Sequence, residues 1–139
     1  MTTPNSLITP QTLDRGLLQF HQGIDSPGIW ATLYSNPGTS GARINAIVVT
    51  NNDSVAHPVS LSILSGGKNY TINTVNVPST AGFVSGILPV SLLWQGLPLD
   101  QYGNPYVQII PGDVLQAYFA NALISPTSMV SIVATVMVY

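Results

Sequence analysis

The apolar positions of this chain fall into short runs separated by clusters of turn-forming residues. The runs are rich in Val, Ile, Leu, Tyr and Thr, which favour strands, and the clusters hold Gly, Pro, Asn, Asp and Ser. No segment keeps the 3.6-residue period of an amphipathic helix. The sequence therefore predicts an all-β protein with strands at residues 16–21, 29–34, 42–50, 58–64, 70–77, 90–94, 106–110, 114–120 and 130–139.

Two neighbouring runs predict a hairpin. Residues 59–65 alternate apolar side chains with Ser, and residues 70–77 alternate in the same way except for a slip near Asn73 and Thr74. The pair Gly66-Gly67 between them suits a tight hairpin turn, and the slip predicts a β-bulge.

Two other runs, residues 44–49 and 130–139, are apolar on both faces. Such strands lie centrally and are covered by a second sheet or by a partner subunit. About eight strands at this spacing in one domain predict a β-sandwich, and a jelly roll fits best because it uses eight strands in two Greek keys.

The first thirteen residues form a separate region in this interpretation. They contain Pro4 and Pro10 among polar residues, which predicts an extended N-terminal arm, followed by a single domain over residues 14–139. The apolar Leu7 and Ile8 make the arm a candidate interface, since such an arm gains order on a partner surface. The opening residues lack the features of a signal peptide.

The composition restricts the function further. Of 139 residues, three are Lys or Arg and five are acidic, and Cys is absent. Three basic residues cannot neutralise several phosphates, so we expect no nucleic-acid partner. A nearly uncharged surface suits a protein docked on other proteins better than a freely diffusing enzyme.

The mean hydropathy is positive, so a membrane span has to be weighed. Residues 114–139 contain no charged side chain, but Gln116, Asn121 and the polar stretch 125–128 interrupt the apolar residues. A membrane helix needs about 20 predominantly apolar residues. We therefore predict two strands joined by a polar turn, and no membrane partner.

The residues that carry chemistry have local explanations. Asp14, Asp25, Asp53, Asp100 and Asp113 each stand in or beside a turn signal, where Asp bonds the local backbone. A relay of Asp53, His57 and a serine lacks a nucleophile elbow, so His21 and His57 are predicted to be polar edge residues.

Metal and cofactor motifs are equally weak. Residues 100–104 resemble a calcium loop only faintly, because the alternating acids and the closing Glu are missing. We predict a hairpin there, with no catalytic residue, no metal and no cofactor in the chain.

One loop is unusually rich in apolar and aromatic side chains, and we take these as candidate interface residues: Trp94, Leu97, Leu99, Tyr102 and Tyr106. Three interpretations stay open. The loop folds back onto its own core, it anchors a protein interface as Trp and Tyr often do, or it stacks on sugar rings.

Several phrases together resemble a known family. They are the opening residues 1–12, the segment VVTNND at 48–53, WQGLPLD at 94–100, GNPY at 103–106 and PGDVLQA at 111–117. This combination is similar to the capsid decoration, or cement, proteins of tailed bacteriophages, including that of a Bordetella phage, which is similar in size.

The resemblance implies a non-enzymatic jelly-roll homodimer, made in the bacterial host cytoplasm. It would bind the outer surface of the icosahedral head in the virion and stabilise contacts between major capsid protein subunits. No functional residue can be carried over from the family. The alternatives are a carbohydrate-binding β-sandwich of the lectin or fibre type, using Trp94, Tyr102 and Tyr106, and a head–tail or tail structural protein.

Overall fold

The computed structural model describes residues 12–35 and 39–139, and every predicted run contains a strand there. The described residues contain no helix. The strands are β1 (Thr12–His21), β2 (Ala31–Tyr34), β3 (Ala42–Asn51), β4 (His57–Ser65), β5 (Lys68–Val77), β6 (Val90–Ser91), β7 (Val107–Ile109), β8 (Val114–Phe119) and β9 (Met129–Val138).

These strands form two antiparallel sheets. The first has the order β1-β9-β3-β6, with β7 also paired to β3, and the second has the order β2-β8-β4-β5. The predictions of an all-β protein and of a β-sandwich are confirmed. The connections from β1 to β2, from β3 to β4 and from β8 to β9 each lead from one sheet to the other, as expected for the predicted jelly roll. The jelly roll stays our interpretation of the topology.

The hairpin between β4 and β5 is confirmed. Ser65 pairs with Lys68, and Gly66 and Gly67 take φ angles of 59° and 80°, which a two-residue turn of this kind requires. The register shifts between Leu61 and Ser62, whose partners are Asn73 and Thr71. The extra residue is therefore Ile72, directly beside the predicted slip.

The core lies between the sheets and receives alternate side chains from both. Strands β3 and β9 are central, as predicted, and one face of each is buried. The rings of Phe20 and Phe119 meet across the sheets with centroids 4.8 Å apart. The largest fully buried side chains include Ile44, Ile47, Leu61, Leu92, Ile109, Leu115 and Ile132.

Strand β1 begins earlier than its predicted run. Thr12 pairs with Val138 and Leu13 pairs with Met137, so both belong to the sheet. Leu13 is 74% exposed, which explains why the pattern of buried positions did not reveal it. Leu7 and Ile8, with the rest of residues 1–11, lie outside the described residues.

Two predictions about single residues are wrong. Asp14 does accept the backbone N–H of Arg15 at 2.8 Å, but it is a strand residue of β1 that also accepts the Tyr34 hydroxyl at 2.9 Å, so no turn explains it. His57 is fully buried and bonded to Asp53, so it is no edge residue.

The uncharged stretch at residues 114–139 contains β8 and β9 with turns and bends between them, as predicted. Over residues 12–35 and 39–139, no helix is long and apolar enough to cross a membrane.

Candidate functional site

The outer face of the β2-β8-β4-β5 sheet is polar. Ser60 and Thr74 share a hydrogen bond of 2.8 Å, and the Asn69 amide donates to Ser62 at 2.9 Å and to Gln116 at 2.7 Å. These side chains already satisfy one another. The same face also carries Tyr118 opposite Ser60, with the Trp30 ring stacked on it, so hydrogen-bonded polar groups lie beside a pair of aromatic rings.

The outer face of the other sheet differs in chemistry. Register places Leu17 of β1 beside Val133 of β9, and Val133 beside Val48 of β3. Their side chains point away from the core and are 63%, 42% and 39% exposed. We call these three residues the apolar row. It is a continuous strip of aliphatic surface across the three long strands of the sheet.

The rows beside the apolar row carry little charge. One side holds Gln19, Ser131 and Thr50, with the Gln19 amide donating to Ser131 at 3.0 Å. A shallow depression of about 310 Å³ lies where Leu17 and Val133 meet this neighbouring row. On this side the strip is thus bordered by neutral groups that can hydrogen-bond a partner, while the row on the other side contains Arg15 and Thr135.

A loop at residues 82–89, which contains none of the predicted interface residues, extends this surface. It packs close to Thr50: a Cβ on Gly82 would lie 2.7 Å from the Thr50 Cγ2. The loop leaves Phe83, Val84 and Leu88 exposed by 56%, 49% and 77%. The sequence signal that could have identified this loop is its short apolar runs between turns.

The aromatic loop found in the sequence ends in a small hairpin. Leu99 pairs with Pro105, and the Asp100 carboxylate accepts the backbone N–H groups of Tyr102 and Asn104, both at 2.9 Å. The predicted turn at residues 100–104 is confirmed, since Gly103 has a φ of 81°. The hairpin holds Tyr102 in solvent, 79% exposed.

Two of the predicted residues turn toward their own domain. The Trp94 ring covers Gly96 so closely that a Cβ there would lie 1.7 Å from the ring. Leu97 is half-buried against the core. Trp94 is still 49% exposed, so the loop both folds back and presents a surface.

The other three predicted residues meet in one cleft. Leu99, Tyr102 and Tyr106 line an open cleft of about 560 Å³ beside Arg43 of β3. Met137 of β9 forms part of its wall. We call this the Arg43 cleft.

Arg43 itself was missed by the sequence analysis. Its guanidinium carbon lies 4.3 Å from the centre of the Tyr106 ring and 5.9 Å from that of Tyr139. The available signal was a lone Arg within an otherwise uncharged central strand.

A buried polar cluster lies at one end of the sandwich. The Asp53 carboxylate is 2.6 Å from His57 Nε2 and accepts the Ser128 hydroxyl at 2.8 Å, and all three residues are buried. Ser128 donates to Asp53 and makes no bond to His57, so the order of a nucleophilic relay is not formed. The cluster joins distant segments of the chain and is structural.

The pKa of Asp53 reflects two opposing effects. Burial raises the pKa of this carboxyl, but hydrogen bonds from His57, Ser128 and the N–H groups of Ser54 and Ile124 favour the ionised form. The net pKa is lowered from its ordinary value of 3.8. The carboxylate is therefore a charged anchor for the loops around it.

Within the described part of the chain, no group of three or more His, Cys, Asp or Glu side chains could hold a metal ion. In the turn at residues 100–104, one oxygen of Asp100 is already occupied by two backbone N–H groups.

Comparison with known proteins gives a fold and no family. No family model matches the chain, and no curated protein sequence matches it. A solved structure of Bacillus endospore appendages, described as disulfide-linked pili, is similar with a TM-score of 0.50 and 13% identity, covering 100% of this chain and 97% of that one. Since this chain has no Cys, it cannot form disulfide links.

Two viral structures show weaker similarity. The cyanophage Pam1 capsid asymmetric unit gives a TM-score of 0.48 at 14% identity, covering 100% of this chain and 93% of that one. The infectious bursal disease virus Gx strain gives 0.38 at 14% identity, covering 92% and 32%. At these identities, similarity concerns the fold alone.

Proposed function

We propose that this chain is a capsid decoration protein, which binds the outer surface of a tailed-phage head and stabilises contacts between major capsid protein subunits. The observation that carries the proposal is the exposed apolar row on the outer face of the β1-β9-β3 sheet. Single exposed apolar side chains are ordinary, but a contiguous strip bordered by polar groups marks an interaction surface.

The surface around the apolar row is also suited to binding another protein. The loop bearing Phe83 and Leu88 and the hairpin bearing Leu99 and Tyr102 add further exposed apolar area. Aromatic anchors of this kind carry much of the energy of protein interfaces. A chain with eight charged residues has few groups to desolvate when it docks. The family resemblance of the sequence points to the same role.

The oligomeric state and the arm complete the proposal. We place the protein on the shell as a homodimer, because two-fold symmetry is the commonest closed arrangement and β1 is a ten-residue edge strand. Leu7 and Ile8 are proposed to contact the shell. Sedimentation equilibrium should give the mass of two chains.

The test is co-sedimentation with purified heads that lack this protein. Val133→Lys puts a charge in the middle of the apolar row and should weaken binding by about tenfold or more, since a buried unpaired charge is costly. The matched control is Thr71→Lys, an exposed position on β5 in the polar outer face. Equal binding by both variants would place the contact elsewhere.

Copy number distinguishes the shell from the tail. Quantitative mass spectrometry of virions should find this protein in a simple ratio to the major capsid protein. A handful of copies per particle would indicate a head–tail or tail protein instead.

A second candidate function, carbohydrate binding, has one observation in its favour. Tyr102 and Tyr106 line the same cleft and could stack on sugar rings, although Trp94, which covers Gly96, does not line it. A glycan array decides between the two. Binding to a sugar that is lost in Tyr102→Ala would favour a lectin.

A further inference from the structure

The described neighbours of the Arg43 guanidinium include two aromatic rings, those of Tyr106 and Tyr139. Among the described residues its side chain makes no hydrogen bond or ion pair, and its Nε is buried without a partner. Buried polar groups of native proteins are almost always hydrogen-bonded, so such an exception needs an explanation. A missing ligand that accepts hydrogen bonds would supply it.

The Arg43 side chain is also held in position. It stands on β3, where its residue pairs with Met137 of β9 on one side and Gln108 of β7 on the other. The Tyr106 ring lies 4.3 Å from the guanidinium carbon and stacks against it. Because the side chain is already ordered, a ligand would find much of the entropy cost of binding already met.

The chemistry of the cleft selects the ligand. A guanidinium presents a planar fork of donors that matches a carboxylate. Only one cation lines the cleft, and the Asp100 carboxylate also lines it, which disfavours multiply charged groups such as phosphate. The amides of Asn45 and Gln101 offer further hydrogen bonds. A single negative charge on a small planar group fits best.

We infer that the Arg43 cleft binds one carboxylate group, presented by an Asp or Glu side chain of the partner protein. The assignment of the partner rests on the proposed function. It is favoured because Met137 is shared by the cleft and by the outer face of the sheet, where it pairs with Leu13. A partner lying on the apolar row therefore reaches Arg43 without leaving the surface.

The carboxylate site is tested without any shell, by NMR. The chain has two arginines, Arg15 and Arg43, so the spectrum of their Nε–Hε groups is simple, and Arg43→Lys assigns it. N-acetyl-aspartate N-methylamide should shift the Arg43 signal in a saturable way, whereas the neutral asparagine analogue should not. No shift, or the same shift with the neutral analogue, would overturn the inference.

An acidic sugar is the competing source of a carboxylate. If methyl glucuronide saturates the Arg43 signal at a concentration a hundredfold lower than the aspartate compound, the protein partner is wrong and the cleft belongs to a lectin. Comparable or weaker binding of the sugar supports the protein partner.

Binding to heads tests the partner directly. Arg43→Gln should weaken co-sedimentation about tenfold, the value of one charge-assisted hydrogen-bond pair, while Lys68→Gln, at the exposed β4-β5 hairpin of the other sheet, should not. Unchanged binding by Arg43→Gln overturns the assigned partner and leaves the proposed function standing. If the unmodified protein does not bind heads, the proposed function fails and the partner with it, while the titration still decides the carboxylate site.

Discussion

At the scale of the residue, the most constrained group in the described structure is the Asp53 carboxylate. It is fully buried and receives hydrogen bonds from the side chains of His57 and Ser128 and from two backbone N–H groups. Its own backbone carbonyl accepts the Ser79 hydroxyl and the Thr80 N–H. One residue thus ties together segments that lie far apart in the chain.

We expect the stability of the fold to depend on the charge of Asp53. Since its pKa is lower in the folded chain than in the unfolded one, the stabilisation is complete above about pH 4 and is lost as the pH falls through the lowered value. Asp53→Asn should reduce the free energy of unfolding at pH 7 by about 2–4 kcal/mol, because the buried network loses its acceptor charge.

Urea unfolding between pH 2.5 and pH 7 measures both effects. Asp100→Asn is the matched control, because its turn keeps an oxygen acceptor and the residue is not fully buried. If Asp53→Asn retained the acid-dependent loss of the unmodified protein, the loss would have to come from other carboxyls.

Whether the sequence predicted the role of a residue correctly depended on how close in sequence its hydrogen-bond partners lie. The backbone bonds of Asp25, Asp100 and Asp113 lie within four residues, so the turn signals predicted them correctly. The bond between Asp53 and Ser128 spans 75 positions, and the burial of His57 depends on the whole sandwich. No local pattern carries such information.

At the scale of the element, the aromatic hairpin depends on the glycine beneath Trp94. A Cβ at Gly96 would collide with the ring, so Gly96→Ala should displace the Trp94 side chain into solvent. The other tryptophan, Trp30, is stacked on Tyr118 with centroids 4.4 Å apart and should be unaffected.

Fluorescence measures this displacement. The emission of Gly96→Ala should move to longer wavelength, while Gln95→Ala, one position away, should leave it unchanged. A spectrum unaltered by Gly96→Ala would mean that the ring does not rest on Gly96.

Strand elements were predicted well because their signal is local. Alternation fixed β4 and β5, and the pair Gly66-Gly67 fixed their turn. The predicted run 90–94 is cut to Val90–Ser91, because Leu92 and Leu93 turn into the core and leave no outward face. The candidate interface residues were chosen by their chemistry, and their role in an interface stays a prediction. The cleft that three of them line also includes Arg43, which the pairing of β3 with β7 brings near them.

At the scale of the whole molecule, the low charge sets how binding responds to salt. Eight charged residues in 139 and a net charge of −2 leave docking to apolar burial and neutral hydrogen bonds, with one ion pair at Arg43 by our inference. Raising NaCl from about 50 mM to about 300 mM should change the affinity for heads by about threefold or less, since burial shields such a pair from screening.

Co-sedimentation across this salt range makes the measurement, with a basic protein that binds heads by charge as the reference. A loss of a hundredfold or more in this range would contradict an apolar interface and point to many exposed ion pairs.

The pairing of β1 with β9 has a consequence for biosynthesis. These strands match residue for residue over ten positions, yet roughly a hundred residues separate them. At a synthesis rate of about 5–20 residues per second, β1 leaves the ribosome about 5–20 s before its partner exists. During that interval Leu13, Leu17 and an unpaired strand edge are available to other nascent chains. The first sheet can therefore be completed only after β9 has been synthesised.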